Sequence, residues 1–215
     1  MPETLSTDWR RFLLRSAMTA AALSALSIVL GDGPLAVAVS SLPAGSRLTV
    51  QRFMTACEFV FAFGISRLLY GILLVAAGLA ARFLERRRLS SALLFIGLSH
   101  LTARILAGIL KTPFSRLRPF EALDPGGWHD TWFAPVGNSF PSGHAVHFWS
   151  LFFPLAVLFP RYRLAFVVLP VLVSAARIAV NDHYLSDTLA SAAVAAVVTW
   201  AYARGMFRQD SVSSH

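Results

Sequence analysis

Six apolar stretches of roughly membrane-spanning length dominate this chain and limit the folds that it can adopt. They cover about residues 12–30, 60–82, 91–110, 145–160, 164–180 and 186–204. A hydrocarbon core about 30 Å thick requires roughly 20 consecutive apolar residues in a helix. The pattern predicts an all-α integral membrane protein, a six-helix bundle. Residues 31–52 are rich in Gly, Pro and Ser, and we expect a loop there with an interfacial turn near residues 35–39.

The composition agrees with a membrane protein. Charged residues make up only 14% of the chain, and the mean hydropathy is +0.61. Soluble domains have about a quarter of their residues charged, so lipid is expected to cover much of this surface. The length of 215 residues predicts one polytopic domain, 1–215, with a cytoplasmic N-terminus 1–11, catalytic motifs in 111–187 and a tail 205–215. The single cysteine, Cys57, excludes an internal disulfide and is expected to be buried and inert.

The net charge of +8 could indicate nucleic-acid binding, but the basic residues lie at the ends of apolar stretches. This distribution is typical of membrane proteins, whose cytoplasmic loops are rich in arginine and lysine. With a cytoplasmic N-terminus, six spans place eleven basic residues on the cytoplasmic side: Arg10, Arg11, Arg15, Arg82, Arg86, Arg87, Arg88, Arg161, Arg163, Arg204 and Arg208. The other side has six: Arg47, Arg52, Lys111, Arg116, Arg118 and Arg177. The bias predicts a multi-pass protein of the cytoplasmic (inner) membrane.

The first apolar stretch has two interpretations. Arginines, an apolar run and then Ala36-Val37-Ala38 resemble a cleavable signal peptide, although the run is long for one. We expect a retained helix. Both interpretations leave the motifs described below on one face of the membrane.

Charged side chains also occur within or beside the apolar stretches, at Glu58, Arg67 and Arg104. Charges at such depth are costly and tend to be paired inside the bundle. A structural ion pair of Glu58 with Arg67 or Arg104 is one interpretation. The other is that Arg104 binds a lipid head group, because it lies seven residues before Lys111 on the same helix face.

The residues with catalytic chemistry occur in three short clusters. These read Lys111-x6-Arg118-Pro119, Pro141-Ser142-Gly143-His144 and Arg177-x5-His183-x3-Asp187. In the third cluster, a four-residue spacing places His183 and Asp187 on one helix face, where the carboxylate can fix the imidazole tautomer and leave the other nitrogen nucleophilic. Asn181 or Asp182 is a suitable N-cap, so the sixth helix is expected to begin at or just before His183. Arg177 would lie on a different face of an unbroken helix, so the chain must break after it.

The other two clusters have groups that suit a phosphate. Ser142 is a natural N-cap for the fourth span, Gly143 permits close approach of an anion, and His144 can donate a proton to a departing oxygen. Lys111 is the only lysine in the chain and ends the third span. Arg118 can bind phosphate oxygens with its forked guanidinium, and Pro119 is expected to stop the chain from coiling onward.

The remaining acidic and aromatic residues do not suggest a metal site. Glu121, Asp124 and Asp130 are loop residues near Trp128 and Trp132, and we interpret this segment as an interfacial rim rather than a magnesium site. No cofactor or metal is expected. The apolar Phe140, Trp149, Phe152 and Phe153 have two open interpretations, an acyl-chain groove and an ordinary lipid-facing or packing role.

The three clusters, in this order, resemble the signature of the type 2 phosphatidic acid phosphatase family. One position departs, because Ala176 stands where the family usually has serine before the arginine. The resemblance implies a metal-independent membrane phosphatase in which His183 forms a phosphohistidine, Asp187 orients it and His144 protonates the leaving oxygen. It also implies that the phosphoryl group is bound by Lys111, Arg118, Ser142, Gly143 and Arg177.

The leading hypothesis is therefore a phosphatase acting on a membrane lipid at the extracytoplasmic face of the bilayer. Candidate substrates are lipid A, undecaprenyl diphosphate, phosphatidylglycerophosphate and phosphatidic acid, and the expected partners are the lipid substrate and the bilayer, with no nucleic acid. A lipid phosphotransferase using the same phosphohistidine is the alternative. A haloperoxidase-like enzyme and a transporter or scaffold are disfavoured, the first by the six spans and the second by the paired His183 and Asp187.

Overall fold

Helices account for most of the protein. The computed structural model describes residues 8–61, 66–124, 127–129 and 132–207. The helices are α1 Trp9–Leu30, α2 Asp32–Ser40, α3 Ala44–Val60, α4 Leu69–Phe83, α5 Arg87–Phe114, α6 Pro119–Ala122, α7 Gly143–Leu158, α8 Arg163–Ala179 and α9 Leu185–Met206. A 3₁₀ turn, Pro160–Tyr162, precedes α8, and two-residue strands β1 Leu123–Asp124 and β2 Gly127–Trp128 pair antiparallel.

Each of the six predicted apolar stretches contains an apolar helix. Among the described residues, four segments are long and apolar enough to cross a membrane: Trp9–Leu30, Arg87–Ala122, Pro160–Ala179 and Leu185–Met206. The apolar helices α4 and α7 have 15 and 16 residues and are shorter than a typical span. The count of six spans remains a prediction, and residues 62–65 of the second stretch lie outside the described residues.

The expectation of a loop over residues 31–52 is wrong, because α2 and most of α3 lie there. The glycines and prolines that suggested a loop lie at helix starts instead: Pro34 is in the first turn of α2, and Pro43 is the N-cap of α3. Helix α3 packs Met54 and Cys57 against α7 and α8. The Cys57 thiol is therefore buried, as expected.

Small residues allow the helices to pack closely. Helix α1 lies along α9, where alanines of both helices are buried together with Trp9 and Leu13. Between α4 and α5, a Cβ atom on Gly97 would lie 2.9 Å from the backbone nitrogen of Val75, so only glycine fits at that position. Close approach through small residues is typical of helix contacts in membranes. The retained-helix interpretation stays a prediction.

Four helix ends meet at one end of the bundle and position the three sequence clusters. The C-terminal ends of α5 and α8 and the N-terminal ends of α7 and α9 carry the clusters. Helix α2 follows α1 at the same end and contacts α6, α8, α9 and β2. The candidate site therefore lies at this end of the bundle.

Candidate active site

Two cations of the first cluster are held by one asparagine. The Lys111 Nζ atom, near the end of α5, donates to the backbone carbonyl of Asn138. The Nε and Nη2 atoms of Arg118 lie 3.2 and 3.1 Å from the Asn138 side-chain oxygen. Asn138 therefore brings the two cations together from different segments. Helix α5 continues past Lys111 to Phe114, and Pro119 begins α6 rather than stopping a helix, so both expectations about these ends are wrong.

Asp182 joins the first cluster to the third. Its Oδ1 atom accepts from Arg118 Nη1 at 3.1 Å, and its Oδ2 atom accepts from Arg177 Nη2. Arg177 lies in the last turn of α8, which ends at Ala179. The helix breaks after Arg177, as predicted, because Asn181 has a left-handed backbone with φ of 59°. The two arginines thus converge on one carboxylate.

His183 and Asp187 meet, but not through a shared helix face. Helix α9 begins at Leu185, so His183 lies before the helix, and the predicted start is wrong by two residues. The reason is that Asp187 accepts the Tyr184 backbone N–H at 3.0 Å, which caps the helix at Tyr184. The same oxygen, Oδ2, lies 3.4 Å from His183 Nδ1 and accepts from Ser139 Oγ at 2.6 Å. The carboxylate is therefore on the Nδ1 side of the imidazole.

The environment keeps the His183 imidazole neutral. Burial lowers the pKa of His183 from 6.5 to about 4, and the positive charges of Arg177 and Lys111 act in the same direction. The hydrogen bond and charge of Asp187 oppose this shift but are outweighed. A neutral imidazole has a free nitrogen lone pair at ordinary pH.

A buried arginine behind Asp187 was missed as a site residue. The Arg116 side chain is fully buried and donates Nη1 to Asp187 Oδ1 at 2.8 Å and Nη2 to Asp32 Oδ2 at 2.8 Å. Its guanidinium lies between two aromatic rings, 3.7 Å from the centroid of Tyr184 and 4.3 Å from that of Trp132. The only sequence feature that could have indicated a role for Arg116 is its position two residues before Arg118.

Asp32 completes this buried group from the start of α2. It accepts from the Ser186 backbone N–H at 3.1 Å and also from the Ser186 hydroxyl. Burial raises the pKa of Asp32, while hydrogen bonds from Ser186 and Arg116 and the charge of Arg116 lower it. A carboxylate directly after an apolar stretch was the only sequence signal for Asp32. Arg116 thus links Asp32, at the start of α2, to Asp187 and through Asp187 to His183, the candidate nucleophile.

The second cluster begins α7 as predicted. Ser142 is the N-cap, and its hydroxyl accepts from the Ala145 backbone N–H. The Ser142 N–H donates to the backbone carbonyl of Asp187 at 3.2 Å, and Arg104 donates to the carbonyl of Gly143. The first bond fixes the start of α7 against the start of α9, and the second fixes it against α5.

His144 has a carboxylate partner that the sequence did not indicate. Its Nε2 atom lies 2.7 Å from Glu58 Oε1, on α3. The predicted partners of Glu58 were Arg67 and Arg104. The contact joins residues 86 positions apart, on α3 and α7, and no local pattern in the sequence indicates such a pair.

Two aromatic side chains expected at an interfacial rim, Trp128 and Trp132, pack around the buried group. Trp132 covers Arg116, and Trp128 packs against Gly33, where a Cβ atom would lie 2.7 Å from the ring. Phe140 contacts Trp132, and Trp149 and Phe153 stack in the core. The contacts of Phe140, Trp149 and Phe153 favour the packing interpretation, and the acyl-groove interpretation stays untested. Asp130 lies outside the described residues.

A cleft opens beside the arginines, between α3 and the end of α8. Its volume is about 370 Å³. It is lined by Gln51, Met54, Thr55, Glu58, Arg177, Val180 and Asp182. The cleft therefore gives access to one of the clustered cations and to the partner of His144.

Comparison with known proteins gives a family match and a fold match. The model of the PAP2 superfamily matches residues 92–211, more than half of the chain. A solved structure, the first transmembrane PAP2 type phosphatidylglycerolphosphate phosphatase from Bacillus subtilis, superposes with a TM-score of 0.57 and 18% identity over 91% of this chain and 94% of that one. At this identity, the superposition shows a shared fold.

Two curated relatives are both named lipid A 1-phosphatase. The protein of Rhizobium etli is 38% identical over 91 residues, which are 41% of this chain and 39% of that protein. The protein of Rhizobium johnstonii is 38% identical over 97 residues, 43% of this chain and 38% of that protein. The matches thus span about two fifths of the length of these relatives.

Proposed function

This chain belongs to the PAP2 superfamily, and on that premise we propose that it is a membrane phosphatase that removes phosphate from a phosphorylated lipid. The observation that carries the proposal is the position of His183. Asp187 lies on the Nδ1 side of its imidazole, and Arg118 and Arg177 share Asp182 one residue away in sequence. A neutral imidazole next to convergent cations has the chemistry needed to attack phosphorus.

In the first step, the Nε2 atom of His183 attacks phosphorus and forms a P–N bond. The bond between phosphorus and the lipid oxygen breaks, and His144 gives that oxygen a proton. Lys111, Arg118 and Arg177 bind the phosphoryl oxygens together with the Ser142 hydroxyl and the Gly143 N–H at the start of α7. Phosphoryl transfer depends mainly on such positioning and charge neutralisation.

In the second step, water attacks phosphorus, the P–N bond breaks, and inorganic phosphate leaves. His144, now without its proton, takes one from the attacking water. Asp187 holds the imidazole orientation in both steps by remaining bonded at Nδ1. The cations replace a metal ion in this scheme, so phosphate release is expected to persist in EDTA.

Lipid A carrying a 1-phosphate is the proposed substrate. The support is the name shared by the two rhizobial relatives, whose identity to this chain is 38%. The arginine distribution supports a site on the extracytoplasmic side of the inner membrane, because the basic loops lie at the helix ends opposite the site. A lipid with its phosphate at that surface would reach the cations directly.

A phosphate-release panel tests this function. Purified protein in detergent micelles is given lipid A, undecaprenyl diphosphate, phosphatidylglycerophosphate or phosphatidic acid, with a His183→Ala variant as control. Release is expected to be fastest from lipid A and absent in the variant. Release by the variant would contradict the assignment of His183, and labelled phosphate on a second lipid would indicate a phosphotransferase.

A further inference from the structure

The cleft between α3 and α8 has a polar wall whose purpose the catalytic residues do not explain. Gln51, Thr55 and Glu58 line it from α3, and their spacing of four and three residues places them on one helix face. Arg177 and Asp182 line it from α8 and the turn that follows. The three α3 side chains lie outside residues 92–211, the part of the chain that the family model matches.

The position of the cleft indicates which part of a substrate would enter it. In phosphoryl transfer the attacking and leaving atoms lie on opposite sides of phosphorus. The residue proposed to protonate the leaving oxygen is His144, and its partner Glu58 is part of the cleft wall. The cleft is therefore on the leaving-group side of the phosphate.

The chemistry of the wall indicates what kind of leaving group fits. An amide, a hydroxyl and a carboxylate together can donate to and accept from the hydroxyl groups of a sugar. A volume of about 370 Å³ lies within the usual range for small-ligand sites, roughly 300–1,000 Å³. By contrast, the groove on the other side of α3 is apolar, with Val50, Phe53 and Leu172 in its lining. A glycerol bearing acyl chains would match that groove better than the polar cleft.

We propose that Gln51 and Thr55 form a specificity site for the sugar of a phosphorylated saccharide lipid. The inference rests on the proposed phosphatase function. Thr55 is an exposed residue whose hydroxyl donates to the Gln51 carbonyl at 3.1 Å, and a hydroxyl oxygen can still accept a hydrogen bond in that state. Gln51 and Thr55 contact the leaving group and so distinguish one substrate from another. The residues that bind the phosphate make the same contacts with every substrate.

The test compares three substrates: lipid A with a 1-phosphate, phosphatidic acid and p-nitrophenyl phosphate. The variants are Thr55→Val and the double variant Gln51→Leu, Thr55→Val. Thr49→Val is the matched control, because Thr49 is also an exposed threonine of α3 that donates to the carbonyl four residues before it, but lines the apolar groove. Each lost neutral hydrogen bond is expected to lower kcat/KM for lipid A about 3- to 10-fold.

The expected result is that the preference for lipid A over p-nitrophenyl phosphate falls by at least about tenfold in the double variant. The Thr49→Val control is expected to keep the wild-type preference. An unchanged preference in the double variant, or an equal fall in the control, would overturn the specificity site and leave the phosphatase proposal standing. Wild-type release from p-nitrophenyl phosphate and phosphatidic acid but not from lipid A would also overturn the site. Wild-type release from none of the three would overturn the phosphatase proposal and the site together.

Discussion

Arg116 binds the outer oxygen of Asp187, the one that does not face the candidate nucleophile. Its Nη1 atom is 2.8 Å from Asp187 Oδ1, whereas Oδ2 lies on the side of His183 Nδ1. The Arg116 side chain is fully buried, and its guanidinium packs on the rings of Tyr184 and Trp132, which hold it in place. Arg116 therefore orients Asp187, and through it the imidazole.

Replacing Arg116 with lysine keeps the charge but removes the fork that reaches both carboxylates. A lost hydrogen bond to a charged group costs about 1.5–3 kcal/mol. We expect Arg116→Lys to lower kcat about 10- to 100-fold with a smaller change in KM, since the phosphate-binding cations remain. Steady-state kinetics in micelles would measure this. Arg163→Lys, which alters an arginine paired with Asp8 at the other end of the bundle, is the control and should keep normal kcat.

Asp32 should matter for stability because its carboxylate accepts from three buried donors, Arg116 Nη2 and the N–H and hydroxyl of Ser186. Asp32→Ala leaves Arg116 paired with Asp187 but removes this acceptor, so it is expected to destabilise the protein by about 1–3 kcal/mol. Thermal unfolding in micelles would show a lower Tm. Asp8→Ala is the matched control, because the Asp8 side chain is 54% exposed and surface pairs contribute roughly 0–1 kcal/mol. Equal Tm values for the two variants would contradict the structural role of Asp32.

The lowered pKa of His183 predicts a pH dependence. The imidazole should stay neutral down to pH of about 4 and become protonated, and thus non-nucleophilic, below it. Its folded pKa lies below the unfolded value of 6.5, so between these values the unfolded chain binds more protons and stability should fall as the pH falls. Titration of ¹⁵N-labelled histidines by NMR, with His183→Gln to assign the signal, would measure this. A midpoint near 6.5 would contradict the burial of His183.

Glu58 should help His144 act on leaving groups that need a proton. Glu58→Gln removes the carboxylate 2.7 Å from His144 Nε2. We expect turnover of alkyl phosphates to fall about 10-fold or more, and that of p-nitrophenyl phosphate to fall much less, because p-nitrophenolate leaves without protonation. Glu85→Gln, in the exposed loop between α4 and α5, is the control. Equal losses on both classes of substrate would show that Glu58 has no part in proton donation.

The sequence predicted the parts of the site that are local in the chain. Ser142 as an N-cap, the break after Arg177 and the pairing of His183 with Asp187 all depend on residues within a few positions of each other. The contact between Arg116 and Asp32 joins residues 84 positions apart, and no periodicity indicates such a pair. The first half of α3 was missed because the Gly, Pro and Ser content of residues 31–52 suggested a loop. Glu58 lies beyond that segment, and its contact with His144 was missed because the two residues are 86 positions apart.

The proposed mechanism depends on His183 becoming bonded to phosphorus, and isolation of the phosphoenzyme tests this most directly. Protein mixed with ³²P-labelled lipid A would be quenched in alkali, where phosphohistidine is stable, and digested for mass spectrometry. The mechanism predicts a phosphate on the peptide containing His183 and none in a folded His183→Gln variant. A phosphate on another residue, or label that persists in His183→Gln, would contradict it.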